Sequence, residues 1–242
     1  MLILNWILDA LYPENLYCIS CGDSMESTTR VHGLCDRCIE KTDWDQEDPF
    51  RGGDIRFSFD RFWKCCTYGY SPRLIMNGLK TGGKSYCAKN LGLLLAERVL
   101  KGCDACGSDP ESFDGILAVP MRQEKKESRG YNQAQLLAEY TAKELGLKNR
   151  ILKNVLIKTR ETPSMRFSDG QTRRSALADV FAVPEEKKYL TAGKKLLLID
   201  DVCTTGSTAD ACAKALKESG AADVTFLCFA CASGRPEDTQ QS

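Results

Sequence analysis

The 242 residues, 43% of them hydrophobic, suit one large domain or an ordinary domain with a small appendage, and they suffice for a core. Lys+Arg and Asp+Glu both number 33, and zero net charge excludes a global field drawing the molecule to nucleic acid or membrane. The charge is uneven: residues 1–60 carry 5 Lys+Arg against 12 Asp+Glu, and residues 61–242 the remaining 28 against 21, so an anionic ligand is expected on the second part.

The opening MLILNWILDALYP contains Asn5 and Asp9, is too short to span a bilayer, and lacks the basic start and cleavage site of a secretion signal. A short amphipathic helix packed on the body is expected there, and no later run predicts a membrane span. Segment 17–41 holds CISCG and LCDRC, and the charged KTDWDQEDPFRGGD after it reads as linker. From about Phe57 the pattern turns globular, and FSFDRFWKCCTYGY predicts strands. NLGLLLAERVL (Asn90–Leu100) predicts a helix, DGILAVP (Asp114–Pro120) a strand, and NQAQLLAEYTAKELGL (Asn132–Leu147) a second helix ending near Gly146. VLIKTR, DVFAV, KLLLIDD and DVTFLCFA are further strand candidates. STADACAKALKESGA predicts a helix capped by Ser207 or Thr208 and ended by Gly220. Strands alternating with helices predict an α/β fold with a doubly wound, mainly parallel sheet. The expected organisation is an N-terminal helix and cysteine segment over 1–55, the α/β domain over 56–234, and a disordered tail over 235–242.

Thirteen cysteines without a signal peptide point to a reducing, cytoplasmic setting, where cysteines bind metal or stay as thiols. Cys18 and Cys21 form one CxxC knuckle, and Cys35 and Cys38 a second. Two knuckles at this separation place four thiolates around one structural zinc ion, which would supply folding free energy that so small a segment lacks. His32, between the knuckles, is the alternative ligand. Cys103 and Cys106 form a lone CxxC without a partner pair and read as loop cysteines. Cys228 and Cys231 lie in an apolar strand and read as core.

The stretch LLLIDDVCTTGST (Leu196–Thr208) carries the chemistry. Four aliphatic residues predict a strand buried on both faces, and Asp200 and Asp201 follow at its carboxyl end, where open α/β sheets bind ligands. Thr204, Thr205, Gly206, Ser207 and Thr208, at a helix N-terminus, offer hydroxyls and backbone N–H groups to a phosphate. No Lys follows the glycine, so this is not the ATP-type loop. The carboxylates would repel phosphate but suit the vicinal hydroxyls of a sugar and, through water, Mg²⁺. A phosphorylated ribose satisfies both halves. An ordinary strand-to-helix turn with an Asp cap is the plainer alternative. Cys203 reads as a filler, because the single histidine, His32, lies far along the chain from it.

LLLIDDVCTTGST resembles the PRPP-binding signature of type I phosphoribosyltransferases. With CISCG…LCDRC, YSPRLIMNGLKTGGK (Tyr70–Lys84) and RGYNQA (Arg129–Ala134), the chain resembles the ComF family, competence-associated proteins joining a zinc ribbon to a phosphoribosyltransferase-like domain. The resemblance implies that Asp200 and Asp201 contact the ribose hydroxyls, and that the loop from Val202 and Cys203 through Thr208 holds the 5-phosphate. It implies a pyrophosphate side at Arg129, Gly130 and Asn132, and catalysis resting on Asp200, Asp201 and Arg129. On residues alone, ESRG before a helix is more often a solvated turn. Lys80 is either a further phosphate contact or a surface lysine, and Arg173 fits the family pattern inside a mobile cover expected between Lys158 and Val183. Met165 and Ala176 stand where that pattern has Gln and Asn. Expected partners are PRPP, Mg²⁺ and an unknown acceptor. The alternative is a catalytically silent PRPP- or nucleotide-binding factor in DNA uptake, bound to single-stranded DNA or a helicase. The oligomeric state is left open.

Overall fold

Residues 16–25, 32–44, 48, 57–81, 87–121, 127, 130–159 and 180–232 are described by the computed structural model. The expected N-terminal helix, the tail, most of the linker and of the cover segment, Arg129 and Arg173 lie outside the described residues. In chain order the longer elements are α1 (Asp36–Glu40), β1 (Arg61–Thr67), α2 (Tyr70–Thr81), α3 (Cys87–Ala105), β2 (Gly115–Ala118) and α4 (Gln133–Glu144). Then come β3 (Ile157–Lys158), β4 (Phe181–Ala182), β5 (Lys195–Cys203), α5 (Ser207–Glu218) and β6 (Asp223–Cys231).

β1, β6, β5 and β2, in that spatial order, form one parallel sheet. Its central strands are apolar without alternation because helices cover both faces. The pleat sends Leu197, Ile199, Leu227 and Phe229 toward Leu91 and Leu95 of α3 and Leu137 of α4. It sends Leu196, Leu198, Phe226 and Cys228 toward Cys212, Ala213 and Leu216 of α5. Leu196 to Ile199 are fully buried, each contributing about 1.5–3 kcal/mol by leaving water. α3 and α4 approach closely at Gly92, where a Cβ would fall 2.4 Å from Tyr140 Cβ.

Two strand candidates are corrected. VLIKTR and DVFAV keep only β3 and β4, which pair antiparallel with each other outside the main sheet. The first helix is longer than expected at both ends, because α3 has partners along its whole length: it takes in Cys87 and Cys103, both buried. Cys103 is therefore a core residue at a helix end and only Cys106 is exposed.

Connectivity positions the site. After β2 the chain runs through α4 to Ile151, which bridges Ile116 in parallel and so steps away from β5. After β5 it runs through α5, on the opposite face, to β6. The sheet therefore changes winding direction between β2 and β5, and a crevice opens beyond their carboxyl ends.

The cysteine segment shares the body's core. Cys18, Ile19, Leu34 and Cys38 pack in one cluster with Trp63, Ile75 and Leu91. Ser20 Oγ donates to the Ser71 carbonyl and Ser71 Oγ to the Cys38 carbonyl, both at 3.4 Å, so the first turn of α2 is bonded to the knuckles.

Candidate functional site: a carboxylate pair and an anion loop at the switch point

β5 runs on past the aliphatic residues to Cys203, because β6 pairs with it throughout. Asp200 and Asp201 thus sit within the last hydrogen-bonded stretch of the strand, beside Val119, whose amide donates to Ile199 O at 2.9 Å. Asp200 Oδ1 accepts from the Asp201 amide at 2.8 Å, and Asp201 Oδ1 from the Val202 amide at 2.7 Å. These local bonds fix both carboxylates at the mouth of the crevice. Lys80, from the last turn of α2, places its Nζ 2.9 Å from Asp201 Oδ2. The lysine is therefore neither free nor turned toward the loop hydroxyls.

Burial and the adjacent Asp201 charge push the Asp200 carboxyl well above the usual carboxylate range. A carboxyl raised by folding favours the fold while protonated and loses that contribution as pH rises through its folded value. Asp200→Asn keeps the Oδ1 acceptor without the charge. It is expected to raise the Tm of the ligand-free protein at pH 8 by about 2–4 °C, the shift that roughly 1 kcal/mol gives a domain this size. The gain should shrink as pH falls, which calorimetric melts across pH will read.

Thr204 to Gly206 form the turn, and α5 starts at Ser207. The N-cap is Gly206, with φ +75°, and no side chain caps it; the expected Ser207 or Thr208 cap is absent. An L side chain there would be strained, which is why the glycine stands at the bend. Thr205 Oγ1 and Ser207 Oγ lie 2.9 Å apart, and Thr204 and Thr208 are exposed. The first turn of α5 thus presents hydroxyls and N–H groups to one side of the carboxylates, an arrangement suited to an anion. Cys203 is buried beneath, in register with Cys231, and the neighbouring Cys228 thiol and burial push its thiol well up. It fills space and is no nucleophile.

On the other side, Gly130 takes φ +80° and Asn132 caps α4 by accepting from the Ala134 amide. The Asn132 amide nitrogen donates to Val119 O at 3.1 Å, so this side chain ties the start of α4 to the residue after β2. Sequence reasoning passed over Tyr131, whose hydroxyl donates to the Leu79 carbonyl and ties this loop to α2 beside Lys80. Only its place between Gly130 and Asn132 hinted at a role. A cavity of about 530 Å³, bounded by Pro120, Asn132, Glu139 and Lys153, lies by β2 and apart from the carboxylates. Lys153 and Glu139 pair across it at 2.6 Å.

At the far end of α2, the Sγ atoms of Cys18, Cys21, Cys35 and Cys38 all lie within 4.8 Å of one another, and they can hold a metal ion. Cys21 and Cys35 are 3.7 Å apart, close to the ~3.8 Å edge of a tetrahedron with 2.3 Å metal–sulfur bonds. Burial pushes the Cys35 thiol up to about 12. Burial also opposes ionisation of Cys38, but Ser20, Ser71 and the neighbouring Cys35 and Cys21 thiols together outweigh it and bring that thiol down to about 7. Four thiolates packed this closely would repel one another, so the donor set fits a cation. His32 pairs with Glu97 at 2.8 Å and stands outside the cluster.

Residues 133–242 match the phosphoribosyl transferase domain family. Parallel sheet, switch-point crevice and this match define a phosphoribosyltransferase-like protein. The chain is 28% identical over 220 residues to the DNA utilization protein YhgH of Escherichia coli O157:H7, covering 91% of this chain and 86% of that one. It is 31% identical over 111 residues to competence protein F of Haemophilus influenzae, covering 46% and 47%. It is 30% identical over 113 residues to competence protein ComFC of Bacillus subtilis, covering 47% and 42%. These matches support a ComF-family, phosphoribosyltransferase-like protein.

Proposed function

We propose that the crevice binds PRPP with Mg²⁺ and transfers its phosphoribosyl group to an acceptor nucleophile. The observation that carries this reading is the carboxylate pair fixed at the end of β5, directly before the hydroxyl-lined N-terminus of α5. Asp200 and Asp201 accept from the vicinal hydroxyls, and Val202 to Thr208 hold the 5-phosphate. Gly130 and Asn132 shape the pyrophosphate side, with Arg129 and Arg173 as its cations and Lys80 as a further one. In the reaction the acceptor forms a bond to ribose C1 while the bond from C1 to the pyrophosphate oxygen breaks, and pyrophosphate leaves with the electron pair. Such a displacement needs orientation and charge complementarity more than proton transfer. Asp200 and Asp201 would hold Mg²⁺, which when bound would supply charge neutralisation for the leaving diphosphate. The four-thiol cluster holds one structural zinc ion, and the cysteine segment, roughly 1–55, is its module.

Titration calorimetry with PRPP and Mg²⁺ is expected to register 1:1 binding, and pyrophosphate is expected to appear only when an acceptor is supplied. No heat with PRPP would sink the proposal.

The names of the relatives, DNA utilization and competence, favour a second reading: a catalytically silent PRPP-binding factor in DNA uptake. The excess of basic residues after position 60 agrees with it. PRPP binding without turnover, together with single-stranded DNA binding that falls steeply with salt, would select it. A cytoplasmic location suits either reading, and among the described residues no helix is long and apolar enough to cross a membrane.

A further inference from the structure

Helix α2 buries Leu79 and turns the next residue, Lys80, onto the end of β5. The Lys80 and Asp201 side chains are 29% and 15% exposed, so their pair at 2.9 Å is largely shielded from water. Asp201 Oδ1 accepts from the Val202 amide, and Oδ2 is the oxygen that meets Lys80. The protein's own cation already holds that oxygen. An ammonium at this distance repels a second cation approaching the same carboxylate. The Tyr131 bond to the Leu79 carbonyl anchors this turn of α2 to the loop before α4.

We propose that Lys80 is an internal counter-ion. It neutralises Asp201 while the crevice is empty, and it leaves Oδ2 for the diphosphate when a divalent cation and a sugar diphosphate arrive. The inference rests on the ribose-and-cation reading of the crevice given above. It assigns the lysine two effects of opposite sign: competition with a cation for Asp201, and attraction for the bound anion. A surface lysine would produce neither, and a merely structural one would weaken both ligands together.

The test uses the full chain and two ligands separately: Mn²⁺ alone by calorimetry, and PRPP at saturating Mg²⁺. Because the pair is charge-assisted, Lys80→Met is expected to bind Mn²⁺ roughly tenfold tighter than the wild type and PRPP roughly tenfold more weakly. Adding Asp201→Asn should erase the Mn²⁺ gain. Unchanged or weakened Mn²⁺ affinity in Lys80→Met overturns the counter-ion, and unchanged PRPP affinity overturns the transfer to the diphosphate. Lys80→Arg, which keeps the charge, guards against a folding defect: it should hold wild-type Mn²⁺ affinity, and a gain there also overturns the proposal. If the wild type binds no PRPP but Lys80→Met still gains Mn²⁺ affinity, the ribose reading falls and the counter-ion stands.

Discussion

Converting Asp200 and Asp201 together to asparagine is expected to remove PRPP binding while the fold persists. Each carboxylate would accept a hydroxyl hydrogen bond worth about 1.5–3 kcal/mol to a charged group, so losing both weakens binding by roughly 10²–10⁴-fold. The fold should persist, because both local acceptors survive as Asn Oδ1 atoms, and the lost Lys80–Asp201 pair works against the gain at Asp200. The amides of Asp201 and Val202 keep their partners. Removing the raised Asp200 carboxyl works in favour of the ligand-free fold. Calorimetric affinity and a thermal melt on the same sample separate the two effects. Wild-type affinity in the double variant would defeat the ribose assignment outright.

Cys18→Ser, or chelation of the metal, is expected to damage far more than the knuckle. The free energy of a four-thiolate zinc site is of order 10 kcal/mol, comparable to the whole stability of a typical domain. Cys18 and Cys38 are buried in the cluster that holds Trp63, Ile75 and Leu91, and Ser71 bonds the Cys38 carbonyl. Collapse of the knuckle therefore uncovers one face of α2, which carries Lys80 at its other end. Metal analysis should fall from one zinc per chain to none, and limited proteolysis should cut between α1 and α2. PRPP affinity should fall as well. An unchanged melting temperature and metal content in Cys18→Ser would refute the structural role. Two zinc ions per wild-type chain would bring Cys103 and Cys106 back into question.

Much of the site was legible because its signals are local. The run Leu196–Ile199 announced a strand covered on both faces, and LLLIDDVCTTGST announced a strand, bend and helix start. Two CxxC pairs announced a tetrahedral thiol cluster. Each of these depends on residues a few positions apart, where backbone sterics and side-chain spacing leave few solutions.

What stayed hidden depends on residues distant in the chain. No element was assigned from the sequence to Tyr70–Thr81, which forms helix α2 although Pro72 and Gly78 are poor helix residues. Proline is tolerated in its first turn, and buried Ile75, Met76 and Leu79 offset the ~1 kcal/mol that the glycine costs. β3 and β4 left the main sheet, and β5 extended to Cys203 because β6 offered a partner throughout. By itself the sequence determined the fold class, the four-thiol cluster, the carboxylate pair and the hydroxyl-rich loop before α5, through periodicity and spacing. Only the tertiary structure decided that Lys80 meets Asp201, that Ser71 braces Cys38 and that Tyr131 holds α2. Such contacts arise from how helices settle on a twisted sheet, and no local pattern along the chain encodes that settling.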